Sequence, residues 1–129
     1  MMVTRITKGI RISVTFSYQE LYSRPESRHF FFSYKIRIEN TSNHTVQLMR
    51  RHWMIFDSAT PKQEVEGEGV VGQQPILHSG ETYEYESACN LTSEIGSMHG
   101  TYLFKSVSDD TYFKVAIPRF ELITPYRQN

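Results

Sequence analysis

Three glycines in six residues, Gly67-Glu68-Gly69-Val70-Val71-Gly72, have the G-x-G-x-x-G spacing of phosphate cradles. In a dinucleotide-binding fold this spacing follows a buried strand and opens a helix, whose first N–H groups hold the pyrophosphate. Here the next residues are Gln73-Gln74-Pro75-Ile76-Leu77, and a second turn at Ser79-Gly80 leaves no room for a helix. A nucleotide fold of that kind is therefore not expected. Glycine still permits backbone conformations that side chains forbid and lets a partner approach the main chain, so residues 67–74 are the candidate binding segment. Three readings of it stand. It is a structural connection with Val70 and Val71 tucked into the edge of the fold, a recognition loop held by a rigid scaffold, or a nest of N–H groups for pyrophosphate or a nucleotide, which Glu66 and Glu68 would oppose.

Other chemistry finds less support. The histidines are His29, His44, His52, His78 and His99, and none is paired at the close spacing of zinc or cobalt ligands. His52, beside Trp53, reads as a strand residue at the surface or in packing, and His78 and His99 would meet Cys89 only through folding. Glu84 and Glu86 lie two apart, as on the solvated face of a half-buried strand, and do not make a recognisable acid–base pair. Cys89 has no Lys or Arg within ten residues to lower its pKa and reads as a small buried hydrophobe. No catalytic residue, metal ligand or cofactor is assigned, and the chain is not expected to be an enzyme.

The elements that must position these residues come from a chain of 129 residues and 15.1 kDa, the size of one domain with one core. Lys plus Arg equals Asp plus Glu at 14 each, so global charge points neither to nucleic acid nor to an acidic membrane surface. The single cysteine excludes an internal disulfide and fits a reducing compartment, with the cytoplasm as the expected location. No apolar run is long enough for a spanning helix, so no membrane insertion is expected. Residues 1–10 lack a signal-peptide pattern, and the three glycosylation triplets beginning at Asn40, Asn43 and Asn90 are taken as chance.

Hydrophobic periodicity is two over most of the length. Ile10, Ile12, Val14, Phe16 and Tyr18 alternate with polar residues, and Phe30, Phe32, Tyr34, Ile36 and Ile38 do so again. Val46, Leu48, Trp53 and Ile55 do not share one parity, so a β-bulge is expected near Met49-Arg50-Arg51 if all four point inward. Short strands follow over 62–66, 76–77 and 82–86, with Tyr83 and Tyr85 inward. Residues 98–107 and 111–117 form a hairpin that sets Tyr102 and Phe104 against Phe113, Val115 and Ile117. About seven strands, a buried tryptophan near mid-chain and no amphipathic helix indicate an all-β, antiparallel β-sandwich of the immunoglobulin or fibronectin type III kind. A small closed barrel has the same periodicity.

The chain also resembles the ApaG family over roughly residues 9–122. The resemblance is carried by Phe32-Ser33-Tyr34-Lys35-Ile36-Arg37-Ile38-Glu39-Asn40, Arg51-His52-Trp53, the stretch Glu64 to Pro75 around the glycines, Gly96-Ser97-Met98-His99-Gly100-Thr101-Tyr102 and Ile117-Pro118-Arg119-Phe120. Ala88 stands where the family pattern has glycine and Asn90 where it has proline, which affects the turn near Cys89. The resemblance implies a fibronectin type III-like sandwich, a link to cobalt tolerance and magnesium efflux, and a protein–protein contact role as in related eukaryotic domains. The expected function is a non-catalytic interaction module with an unidentified protein partner. The alternative is a pyrophosphate, nucleotide or divalent-metal sensor acting through the glycine loop. Contact surfaces to consider are residues 67–75, the basic cluster Arg50, Arg51 and His52, and an edge strand that adds a partner or a second copy as a homodimer.

Overall fold

The alternating pattern becomes two antiparallel sheets in the computed structural model, which describes residues 1–127. The strands are β1 (Met2–Thr7), β2 (Ile10–Tyr18), β3 (Phe30–Asn40), β4 (Val46–Asp57), β5 (Gln63–Glu68), β6 (Ile76–Leu77), β7 (Thr82–Leu91), β8 (Ile95–Ser106) and β9 (Tyr112–Ile123). One sheet has the order β1-β2-β3-β7. The other has β5-β4-β8-β9, with β6 also paired to β4. The two sheets form a β-sandwich with open edges, not a closed barrel.

The count is higher than the seven strands expected because β1 carries little core signal. None of its six residues is fully buried; it is held by its ladder to β2 across a turn at Lys8-Gly9, where both φ angles are positive. β7 and β9 also run further than the periodicity indicated, to Leu91 and Ile123.

Inside, the side chains follow the predicted parity. Ile10, Ile12, Val14, Phe32, Ile36 and Ile38 are fully or almost fully buried. The register between β4 and β8 shifts between Leu48 and Arg50, which places the expected bulge at Met49. The extra residue lets Val46 and Leu48 face inward before the shift and Trp53 after it. Trp53 sits among Tyr34, Phe120 and Tyr102, with ring centroids 5.6, 6.1 and 6.5 Å away. Phe104 stacks on Phe113 at 5.8 Å, as the hairpin reading required.

The two flanks of the sandwich differ. On one, β1 and β2 lie against β9: the Phe16 and Phe120 rings are 5.1 Å apart, and Ala116 N–H donates to Thr7 Oγ1. On the other, β7 ends one sheet and β5 ends the other.

Candidate functional site

The glycine segment forms the rim of the flank bordered by β5 and β7. Its local structure starts at the bulge, because the Met49 carbonyl accepts hydrogen bonds from Gly69 N–H at 2.9 Å and from the Gln74 side-chain amide at 3.0 Å. Val70 and Gln73 then exchange both backbone hydrogen bonds, at 2.8 and 2.9 Å. That closes a two-residue hairpin turn on Val71 (φ 48°) and Gly72 (φ 74°). Positive φ at both central residues is the pattern of a type I′ turn, whose usual sequence is Asn-Gly. Gly69 is needed where it stands: its φ is 61°, and a Cβ there would lie 2.1 Å from the Gln73 carbonyl oxygen.

Arg51 completes the loop. Within the cluster Arg50-Arg51-His52 the side chains do not all point the same way. Arg51 lies across from Gly67 in the β4–β5 ladder, and a Cβ on Gly67 would come within 2.8 Å of its guanidinium. The glycine thus leaves space for Arg51 to turn over the strand and donate to the Glu68 and Gly69 carbonyls at 2.9 and 3.0 Å. His52 has the opposite parity; its ring nitrogens lie 3.2 Å from Glu64 and 3.7 Å from Glu66.

The two valines separate. Val70 is fully buried, whereas Val71 is 65% exposed, so only the first is tucked into the fold. Gln73 and Gln74 are exposed, with Gln74 tied to the bulge. The N–H groups of Gly69, Val70 and Gln73 are all engaged within the protein, which leaves the segment poorly built as an anion nest.

Below the rim lies a cleft of about 550 Å³ bordered by both edge strands. Its walls include Tyr34, Trp53, Val65, Val70, Tyr85 and Met98, with Ser87, Ala88, Cys89 and Asn90 along β7. Ser87 shares the inward parity of Tyr85 and Cys89 yet is exposed, because the flank is not covered there. Deeper in, the Tyr85 and Tyr102 hydroxyls share a short hydrogen bond between the sheets. Burial raises the pKa of both, and their mutual interaction keeps Tyr102 high as well. Burial, with the Asp57 carboxylate adding to it, pushes the Cys89 thiol up to about 11. These groups are neutral near pH 7.

A family model described as the ApaG domain matches residues 20–106. The chain belongs to the ApaG family. It is 50% identical over 103 residues to Protein ApaG of Bdellovibrio bacteriovorus, 80% of each chain, and 42% identical over 124 residues to Protein ApaG of Brucella canis, 96% of this chain and 95% of the relative. Among solved structures, the putative ApaA protein from Bordetella pertussis superposes with a TM-score of 0.86 at 44% identity, covering 90% of this chain and 94% of that one. In this ApaG domain Arg51, expected in a basic contact cluster, anchors the loop instead, and Tyr34, Tyr85 and Trp53, expected as core, also form walls of the cleft. The parity of Arg51 with Trp53 was the available signal.

A second polar site ties the far end of β7 to β4. Asp57, 5% exposed, accepts hydrogen bonds from Ala59 N–H, Thr92 N–H and Oγ1, and Ser93 Oγ, at 2.6 to 3.2 Å. Burial alone would raise its carboxyl pKa, but these donors outweigh burial and hold it below the ordinary value. Among the described residues, no three His, Cys, Asp or Glu side chains converge as a metal site, and no helix is long and apolar enough to cross a membrane.

Proposed function

We propose that this ApaG domain is a non-catalytic module that binds a protein partner at the flank between β5 and β7. One observation carries the reading: Ser87, an inward-facing position of β7, is exposed above an aromatic cleft. A sandwich that needed this flank only for stability would cover it, since burying apolar surface is the main favourable term in folding. The rest of the rim suits recognition by a rigid scaffold in the manner of immunoglobulin-like and fibronectin type III-like domains: Val71 and Gln73 project from a turn that Arg51, Gln74 and the Met49 carbonyl hold in place. A cleft whose phenol and thiol stay protonated offers binding surface, not a nucleophile. Cytoplasmic residence and a role in cobalt tolerance and magnesium efflux, both expected earlier, belong to the same proposal, with the metal phenotype arising through the partner. The glycine-loop sensor has no comparable support, because three of the loop's N–H donors are already used.

The test is affinity capture from a bacterial lysate with the native protein and with Ser87→Arg, which fills the cleft, after circular dichroism has established that both are folded. A partner retained by the first and lost by the second supports the module. Absence of any retained protein, together with a saturable melting-temperature rise on adding pyrophosphate, a nucleotide or cobalt, would replace it with the sensor.

A further inference from the structure

We propose that the flank accepts an extended basic peptide as a fifth strand on β7, with alternate apolar side chains entering the cleft. This deepens the interaction-module reading and rests on it. The first observation is topological. β7 spans ten residues and, among the described residues, pairs only with β3, so its other side is a sheet edge able to template a strand. Side chains of an added strand alternate, and those on the inner side would continue the row of Tyr85, Ser87 and Cys89 above Trp53 and Met98.

The second observation is charge. The molecule is neutral overall, but residues 63–99 contain seven glutamates and no Lys or Arg, half of the chain's 14 acidic residues. These residues include both strands that border the cleft. Glu64 and Glu66 face His52, and Glu84 faces Lys35 and Arg37, whereas Glu86, which borders the cleft on β7, has no ion-pair partner among the described residues. The guanidinium bordering the cleft, that of Arg51, is turned to the loop carbonyls. The β7 rim thus favours a cationic occupant. A second copy joined β7 to β7 would bring two sets of Glu84 and Glu86 together across the seam.

The third observation is backbone strain. Val71 stands at the first central position of a type I′ turn, where a β-branched residue is a conformational outlier. Its side chain is 65% exposed, so packing does not offset the strain. An apolar group displayed at this cost on the lip of a cleft is a contact awaiting a partner.

The experiment screens the folded protein against an array of random ten-residue peptides, then measures hits by fluorescence anisotropy with the native protein, Glu86→Lys and Val71→Asn. Enrichment of proline-free peptides alternating apolar residues with Lys or Arg is expected, with slowed amide exchange on β7 when they bind. Affinity should fall at least about fivefold in Glu86→Lys and in 0.5 M salt, and in Val71→Asn, whose turn keeps its favoured sequence. The proposal falls if no peptides are enriched, if those enriched are acidic or proline-rich, or if both variants bind them as the native protein does. If a protein partner is nevertheless captured and is lost on Ser87→Arg, the module reading survives without the added strand; if nothing is captured either, both fall. A concentration-dependent dimer whose formation protects β7, with no peptide enriched, would assign the edge to a second copy.

Discussion

At Val71 the sequence works against its own backbone. A valine with φ near 48° costs roughly 1–2 kcal/mol relative to a residue suited to the left-handed region. Val71→Asn should therefore stabilise the protein by about 1 kcal/mol in urea denaturation, while weakening binding at the cleft. A variant that is less stable would mean that Val71 packs in a way its exposure does not indicate. Gly69 behaves in the opposite sense: Gly69→Ala combines a positive φ with a Cβ placed against the Gln73 carbonyl and should cost about 2 kcal/mol or more. The glycine segment was visible in the sequence, but its use was not. Val-Val-Gly lacks the Asn-Gly signature of the turn it forms, and the carbonyls it turns toward Arg51 come from a strand pairing that local spacing does not encode.

Elements were easier to read than their meeting places. The parity break between Leu48 and Trp53 located the bulge, and the same parity placed Arg51 beside Trp53; reading Arg51 with Arg50 and His52 as one contact cluster concealed its turn to the loop carbonyls. β1 escaped because a strand held mainly by its ladder has no buried row to betray it. The cleft was hidden for another reason: β5 and β7 are separated by β6 and the glycine turn in sequence and border one flank only through the sheet order. Where β7 and β8 connect, Asp57 gathers Thr92 and Ser93 into a polar knot. Asp57→Ala leaves these donors unpaired and should cost about 2–3 kcal/mol by chemical denaturation. Because the folded carboxyl titrates below its unfolded value, its contribution is present above the unfolded pKa and is lost as pH falls through the lower folded pKa. The native protein should lose stability below about pH 4, and Asp57→Asn should lose less over the same range.

For the whole molecule, neutrality conceals an uneven distribution of charge, and the two flanks of one sandwich are built differently. One is closed by aromatic packing between β2 and β9; the other is left open, with its thiol kept inert. Cys89, at a pKa of about 11, should be alkylated by iodoacetamide at pH 8 hundreds of times more slowly than an unfolded control, since roughly 0.1% of it is thiolate; an equal rate would show that the cleft does not shield it. Joining Thr7 to Ala116 also orders the life of a nascent chain. The first strand leaves the ribosome with its hydrogen-bond acceptor ready, but the donor lies 109 residues later, so β1 and the Phe16 ring have no final seat until β9 has emerged. A ribosome stalled before Tyr112 would hold a chain whose closed flank is still open, and closing it proceeds at the slow pace set by long-range strand pairing.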